Sequence, residues 1–271
     1  MILVFDIGNT DIVMGLFEDR ELLDHWRMAT HPERTADEFG LLVRALIRES
    51  GFEADAIRAA VIGSVVPPMT AVATEMCDRH IGARTLVIDA ATPLPVRLDV
   101  DEPLAVGADR ILNTLAAASL FRTDTIVVDL GTATTFDCIT SDGAFIGGVI
   151  APGVRAGAEM LVRRTARLPR VDIQPATHVI GRRTDTSMQA GIFFGAVDAI
   201  DGIVRRIKVE WQKPDALVVA TGGLAPLLAP HCTTIGRVEP FITLVGLNLA
   251  YYAVIEREAR QRRRARPGRP R

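Results

Sequence analysis

Lysine is nearly absent from this chain of 271 residues. Of its 31 basic residues, 29 are arginine, and only Lys208 and Lys213 are lysine. A P-loop needs a lysine within a glycine-rich turn, and Schiff-base catalysis needs a lysine in an apolar site. Neither lysine has such a setting, because both follow an amphipathic helical pattern. The sequence thus excludes both mechanisms, and any phosphate must be bound by backbone amides, hydroxyls, arginines or a cation.

Cysteine is also scarce, and the three cysteines lie far apart, at 77, 138 and 232. No CxxC pair or Cys/His cluster occurs, so we expect neither a disulfide framework nor a zinc site, which fits a reducing compartment. The apolar N-terminus stops at Asp6 without a basic segment before it, which predicts a strand rather than a signal peptide. The longest apolar run, 242–254, is too short to span a bilayer. We expect a cytoplasmic protein without a membrane partner.

Charge is spread unevenly along the chain. Residues 257–271 contain eight arginines and one glutamate, a net charge of +7, which leaves −9 for the rest. Such a tail could bind nucleic acid. Pro267, Gly268 and Pro270 break regular structure, and no aromatic residues are interleaved, which favours an irregular chain end instead. We therefore predict that 259–271 is a disordered arginine-rich tail, and we disfavour a nucleic-acid partner.

Apolar strand-like runs alternate with helical patterns, which indicates an α/β fold. The segment Thr35-Ala36-Asp37-Glu38 has the pattern of a capping box and predicts a helix start. A 3.6-residue periodicity predicts a long helix over about 186–210, and a last helix begins near 243.

A short internal repeat is the most informative feature. The segment 4–10, VFDIGNT, recurs as VVDLGTAT at 127–134, 123 residues further on. Each copy is an apolar strand, an Asp-x-Gly turn, and then polar residues leading into a hairpin. The repeat predicts two similar halves that face each other across a cleft, with domains at 1–120 and 121–258.

The residues of each turn suit phosphate binding. A glycine lets backbone amides approach an anion closely, and a following amide or hydroxyl side chain adds donors. Asp6 and Asp129 have the wrong charge for phosphate but can hold a cation. One such turn alone is better explained as an Asx turn that ends a strand. The pair favours a polyphosphate site, whereas Thr221-Gly222-Gly223 fits a nucleotide-base contact and a plain turn equally well.

A third polar motif, Gly107-Ala108-Asp109-Arg110, precedes an apolar helical pattern. The helix dipole favours an ionised Asp109, which could accept a proton from an attacking hydroxyl, while Arg110 could bind an anionic group. Taken alone, the segment is better explained as an aspartate N-cap beside a solvated arginine.

In this order, the motifs resemble those of type III pantothenate kinases, in the acetate and sugar kinase/Hsp70/actin superfamily. The resemblance extends from Met1 to about Ile255. The matching stretches are DIGNT (6–10), RTADE (34–38), SVVPP (64–68), GADR (107–110), DLGTATTFD (129–137), GGVIAPG (147–153), LPR (168–170), IGRRT (180–184) and ATGG (220–223).

The resemblance implies two ribonuclease H-like domains, as in actin-like ATPases, and the ATP-dependent phosphorylation of pantothenate to 4′-phosphopantothenate, which begins coenzyme A biosynthesis. It also implies a homodimer. ATP would be bound by Asp6, Ile7, Gly8, Asn9, Thr10, Asp11, Ile12, Val13 and Thr132. Pantothenate would be bound by Gly107, Ala108, Asp109 and Arg110, with Thr184 from the partner subunit. Asp109 would be the general base, Asp129 would hold K⁺ or NH₄⁺, and Mg²⁺ is a further candidate cofactor.

Two positions depart from the family pattern. Asp11 stands where many relatives have asparagine, and the added carboxylate could weaken ATP binding or recruit a divalent ion. Leu98 stands where many have tyrosine, which would remove a hydrogen bond to the substrate.

Two other functions are weighed against this one. A non-catalytic regulatory protein of the same family would suit the basic tail, but Asp6, Asp109 and Asp129 are all present. A sugar or acetate kinase is disfavoured by the short chain and by the GADR and GGxIxPG motifs.

Overall fold

The computed structural model describes residues 1–265, which form two compact units. Unit 1 comprises Met1–Arg97, Asp101–Ala116 and residues 243–265, and unit 2 comprises Leu98–Val100 and Ala117–Ile242. The strands are β1 (Ile2–Ile7), β2 (Asp11–Glu18), β3 (Glu21–Ala29), β4 (Ala59–Ser64), β5 (Arg84–Ile88), β6 (Arg97–Leu98), β7 (Thr125–Leu130), β8 (Ala133–Ile139), β9 (Ala144–Pro152), β10 (Leu217–Thr221) and β11 (Arg237–Val238). The helices are α1 (Ala36–Glu49), α2 (Pro67–Met76), α3 (Ala108–Leu120), α4 (Val154–Arg164), α5 (Thr184–Glu210), α6 (Ala225–Leu228) and α7 (Ile242–Ala265).

Unit 1 is built on a five-stranded sheet with the order β3-β2-β1-β4-β5. Its first three strands form an antiparallel meander, and β4 and β5 run parallel to β1. The strand β1 is apolar throughout except for Asp6, because it lies in the middle of the sheet and both of its faces are covered. Phe5 packs edge-on against Phe39 of α1 at 6.0 Å between ring centroids, within the main core of the unit.

The predicted capping box begins α1. The Thr35 hydroxyl accepts a hydrogen bond from the Glu38 amide at 3.3 Å, and the Thr35 amide donates to the Glu38 carboxylate at 2.9 Å. The Thr35 amide and hydroxyl both donate to the Glu38 carboxylate, and these two bonds lower its pKa. The two backbone amides at the helix start, those of Thr35 and Glu38, both have partners, so the prediction from the sequence is confirmed.

Unit 2 repeats this arrangement. Its sheet has the order β11-β10-β7-β8-β9-β6, with an antiparallel β7-β8-β9 meander and β10 parallel to β7. The apolar face of α5, which includes Phe193, Ile200 and Val204, packs into the core over this sheet. The two meanders confirm the α/β fold and the internal repeat that the sequence indicates.

The position of α7 differs from the prediction that placed residues 121–258 in one domain. A Cβ at Gly246 would lie 2.3 Å from the carbonyl oxygen of Leu112, so α7 packs directly on α3 within unit 1. Asn248 and Tyr252 donate hydrogen bonds to the Asp19 carbonyl at 2.9 and 3.1 Å. Helical periodicity shows which face of α7 is apolar, but it does not show which sheet that face covers.

The prediction of a disordered tail is wrong for residues 259–265, because α7 continues to Ala265. Glu258 forms an ion pair with Arg84, and Arg260 lies 3.6 Å from Glu256 one turn earlier. Arginine has a high helix propensity, which supports such an extension. The remaining residues of the predicted tail, 266–271, lie outside the described residues.

Helix α5 is long and apolar enough to cross a membrane if length and composition are the only criteria. No other helix among residues 1–265 meets both. The core helices of globular proteins pass the same test, and α5 buries Phe193, Val197 and Val204 inside unit 2.

Candidate functional site

The predicted phosphate-binding residues 6–13 form the end of the β1–β2 hairpin in unit 1. Ile7 pairs with Ile12, and the Gly8 amide donates to the Asp11 carbonyl at 3.0 Å, which closes the turn between the strands. The side chains of Ile7 and Ile12 are fully buried, so these two residues can offer a ligand only their backbone. Asn9 and Thr10 are exposed, Gly8 and Val13 are partly exposed, and the carboxylates of Asp6 and Asp11 are half-buried.

The predicted substrate residues form the first turn of α3. The Gly107 carbonyl accepts from the Ile111 amide at 3.2 Å, and Ala108 begins the helix. Asp109 is therefore not the N-cap of α3, contrary to the alternative interpretation of this segment. Its Oδ1 accepts from the Arg110 amide at 2.9 Å. A Cβ at position 107 would lie 2.5 Å from that same oxygen, so only glycine leaves room for this carboxylate position.

Unit 1 brings these two motifs to one edge of its sheet. Gly107 lies beside Val65, since a Cβ there would be 3.4 Å from Val65 Cγ1. The Val65 amide in turn donates to the Ile7 carbonyl at 3.1 Å. Because β1 and β4 are parallel, their carboxyl ends meet, which is where ligands bind in α/β sheets. Asp109 thus stands on the same edge as the Gly8 turn.

Unit 2 builds a matching turn between β7 and β8. Leu130 pairs with Thr134, and the Gly131 amide donates to the Ala133 carbonyl at 3.1 Å. Thr132 is exposed at the tip of the turn, and Asp129 is half-buried at the end of β7. The two residues that the sequence assigns to ATP and to a cation thus share one turn.

Two glycines hold the backbone of this second turn. A Cβ at Gly153, which precedes α4, would lie 2.0 Å from the Thr132 carbonyl oxygen. A Cβ at Gly222 would lie 2.4 Å from Asp129 Oδ1, and Gly222 also has a φ of +86°. The Leu224 amide donates to the Leu130 carbonyl at 3.2 Å. Gly153 and Gly222 therefore allow neighbouring segments to pack closely against the turn. The sequence analysis did not predict this role for Gly153.

Asp129 offers a carboxylate to a cation at the end of β7. A side chain at position 222 would collide with its Oδ1, so glycine at 222 allows this position of the carboxylate. Within residues 1–265, no group of three or more His, Cys, Asp or Glu side chains is arranged to hold a metal ion. A carboxylate oxygen is a ligand that alkali and divalent cations both accept, so Asp129 fits either kind of ion.

Thr184 lies at the first residue of α5 in unit 2, with an exposed side chain. Arg183 and Asp185 beside it form an ion pair, and the hydrogen bond from Arg183 lowers the pKa of Asp185. The Arg183 amide donates to the Thr186 hydroxyl at 3.1 Å. These contacts order the helix start that carries Thr184.

Sequence reasoning also missed two residues of β3 and its end. The Thr30 amide donates to the Thr10 carbonyl at 2.9 Å, and the Thr30 hydroxyl donates to the Gly8 carbonyl at 2.7 Å. Arg27 forms an ion pair with Asp11, and the hydrogen bond to Asp11 raises the pKa of Arg27. The hairpin that the sequence predicts after the first Asp-x-Gly turn indicates that residues of its second strand could lie near this turn.

Comparison with known proteins gives a consistent result. A model of the type III pantothenate kinase family matches residues 2–206. A type III pantothenate kinase from Geobacter sulfurreducens is 45% identical over 251 residues, 93% of this chain and 98% of that protein. One from Moorella thermoacetica is 44% identical over 253 residues, with the same coverage of each.

Solved structures share the fold. One named as a Baf family transcriptional activator, from Campylobacter jejuni, matches with a TM-score of 0.57 at 17% identity, covering 95% of this chain and 99% of that chain. A 2-dehydro-3-deoxygalactonokinase protein from Sinorhizobium meliloti matches with a TM-score of 0.52 at 13% identity, covering 93% and 96%. At these identities the likeness establishes the fold alone, and it agrees with two actin-like domains.

Proposed function

Because the chain belongs to the type III pantothenate kinase family, we propose that it phosphorylates pantothenate with ATP, the step that begins coenzyme A biosynthesis. The observation that carries this proposal is the identity of 45% over 93% of the chain. The shared sheet edge of the Gly8 turn and Asp109 supports it, since a kinase must hold phosphate and acceptor close together.

We infer that the triphosphate binds to the turn residues Gly8, Asn9 and Thr10, flanked by Asp6 and residues 11–13, and to Thr132 of unit 2. Backbone amides and hydroxyls supply the donors that a lysine supplies elsewhere. Phosphoryl transfer depends mostly on positioning and charge stabilisation, so a rigid turn with neutral donors suits it.

Asp109 is the proposed general base. As the pantothenate hydroxyl oxygen forms its bond to the γ-phosphorus, its proton passes to the Asp109 carboxylate, and the bond from phosphorus to the ADP oxygen breaks. Arg110 is proposed to bind an anionic group of the substrate, with Gly107 and Ala108 beside it. The bond from the Arg110 amide to Asp109 Oδ1 fixes the carboxylate in the helix turn.

A monovalent cation, K⁺ or NH₄⁺, is proposed at Asp129, where it would screen the charge of the triphosphate. Mg²⁺ is a further proposed cofactor, brought with ATP. We also propose a cytoplasmic homodimer in which Thr184 completes the pantothenate site of the partner subunit.

The test is ADP release by the purified protein with ATP, with and without pantothenate. Pantothenate-dependent turnover in KCl that falls when NaCl replaces it supports the proposal. No turnover in either salt contradicts it.

The role of Asp109 has a separate test. Asp109→Asn should lower kcat by about a hundredfold or more, the usual contribution of a general base, and leave ATP binding close to that of the wild type. Asp101→Asn, at an exposed position in the preceding segment, is the matched control. Full activity of Asp109→Asn would remove Asp109 from the mechanism.

A further inference from the structure

The turn that is proposed to bind phosphate is supported by side chains from outside the motif. Thr30 is the first residue after β3. It donates hydrogen bonds to two carbonyl groups of the turn, those of Gly8 and Thr10. Arg27, within β3, reaches the carboxylate of Asp11. These contacts lie inside unit 1 and come from one strand end.

The Thr30 bonds fix the direction of two carbonyl groups of the turn, those of Gly8 and Thr10. Carbonyl oxygens carry partial negative charge and would repel a phosphate, whereas amide N–H groups attract it. Each Thr30 bond holds a carbonyl of the turn toward Thr30. A third carbonyl group of the turn, that of Asp11, accepts a hydrogen bond from the Gly8 amide at 3.0 Å and is fixed in the same way.

The ion pair with Arg27 compensates the negative charge of Asp11. A carboxylate at the end of a phosphate-binding turn would repel the triphosphate, which was the concern raised by Asp11 in the sequence. In the hairpin, Asp11 lies opposite Ala29, so Arg27 is its diagonal neighbour on the same face. Asp11 has an exposed side-chain fraction of 30% and Arg27 of 52%, so the pair is only partly screened by water.

We propose that Thr30 and Arg27 are positioning residues for ATP, which hold the Gly8 turn in its phosphate-binding form and neutralise Asp11. The proposal rests on the proposed function, since it assumes that ATP binds at this turn. Neither residue needs to touch ATP, so both act through the turn.

The charge part predicts that the need for Arg27 depends on Asp11. Arg27→Met leaves an unpaired carboxylate and should weaken ATP binding about tenfold, the size expected for a partly screened charge at close range. Adding Asp11→Asn removes the carboxylate, so the double variant should bind ATP within about threefold of the wild type. The KM for pantothenate should stay near the wild-type value in both.

The hydroxyl part predicts a smaller effect. Thr30→Val keeps the backbone bond to Thr10 but loses the bond to the Gly8 carbonyl, and should weaken ATP binding about fivefold. Thr30→Ser keeps the hydroxyl and should restore most of the affinity.

The experiment is calorimetric titration of each variant with ATP, without pantothenate, together with its thermal unfolding. Arg58→Met is the matched control, because Arg58 lies 3.7 Å from Asp19 at the opposite end of the same hairpin. Thr74→Val is the control for Thr30→Val, since its hydroxyl donates to the Thr70 carbonyl within α2.

A double variant that binds ATP as weakly as Arg27→Met would overturn the charge part, because Arg27 would then act on ATP itself. Equal affinity of Thr30→Val and the wild type would overturn the hydroxyl part. A wild type that binds no ATP contradicts the proposed function instead. A wild type that binds ATP but does not phosphorylate pantothenate contradicts only the choice of substrate.

Discussion

The two units contain the same turn but hold it in different ways. In unit 1, four residues, 8–11, separate the paired positions of the hairpin, and in unit 2 three residues, 131–133, do so. The first turn is held by side chains, through Thr30 and Arg27. The second is held by close packing against Gly153 and Gly222.

The helix that follows each meander repeats this contrast. Helix α1 begins with the Thr35 capping box, whereas α4 begins after Gly153 without a side-chain cap. A threonine at position 153 would place its Cβ on the Thr132 carbonyl, so the cap and the packing contact exclude each other. A repeated motif in the sequence therefore need not be supported by repeated residues around it.

The largest expected effect concerns Gly153→Ala. Its Cβ would lie 2.0 Å from the Thr132 carbonyl oxygen, so α4 or the turn must move, and we expect a loss of more than about 3 kcal/mol in the free energy of unfolding. At Gly8 the corresponding distance, to the Asp11 carbonyl, is 3.2 Å, so Gly8→Ala should cost much less stability.

Thermal and urea unfolding of both variants measure this difference. Gly157→Ala within α4 is the control, because its Cβ meets no atom within 4 Å and should stabilise the helix by about 0.5–1 kcal/mol. If Gly153→Ala and Gly8→Ala are equally stable, the contrast between the two turns fails.

An intermediate effect is expected at Asp201, where unit 2 does rely on a charged side chain. Burial alone would raise the pKa of Asp201, but hydrogen bonds from Thr233 and Thr234 outweigh it and lower the pKa to about 2. The two amides donate at 2.9 and 3.0 Å, and tie α5 to the segment before β11. The contrast between the units therefore applies to the turns and to the starts of α1 and α4, but not to unit 2 as a whole.

A carboxylate whose pKa is lower in the folded state stabilises the protein at pH values above its unfolded pKa. This contribution is lost as the pH falls toward the folded pKa. For Asp201 the contribution is about 2 kcal/mol at neutral pH, with about half lost by pH 3. Urea unfolding of Asp201→Asn and the wild type at pH 7 and pH 3 measures it. A difference that does not shrink in acid would contradict the assignment.

The smallest effect is expected at the helix cap of unit 1. Thr35→Ala removes the side-chain bond to the Glu38 amide and should cost about 1 kcal/mol. Thr35→Ser keeps the hydroxyl and should lie within a few tenths of a kcal/mol of the wild type by the same scale. Equal stability of the alanine and serine variants would show that the cap contributes nothing, contrary to the contrast between α1 and α4.

Local patterns in the sequence predicted much of the fold. The meanders, the capping box at Thr35 and the two Asp-x-Gly turns each depend on residues that are close in the chain. The resemblance named Asp109 as a site residue, but the sequence did not predict which edge of the sheet carries it. The packing of Gly153 on Thr132 joins distant segments, and no local pattern encodes it.

The contact between Arg27 and Asp11 escaped prediction for a specific reason. The β2–β3 ladder shifts register by one residue at Leu16/Phe17, so that Ala29 rather than Met28 stands opposite Asp11. A shift of one residue moves every side chain of a strand to the other face. Without this irregularity, Arg27 would lie on the opposite face of the sheet from Asp11. No local pattern in the sequence predicts the register shift.

The return of α7 to unit 1 has a consequence for how the chain folds during synthesis. Unit 2 is complete once Ile242 has been made, whereas unit 1 still lacks the helix that covers Gly15 and Gly63 through Leu244 and Leu247. Domains fold as their segments emerge from the ribosome. The half that starts the chain therefore finishes folding last, and until then its sheet exposes an apolar face that a chaperone can recognise.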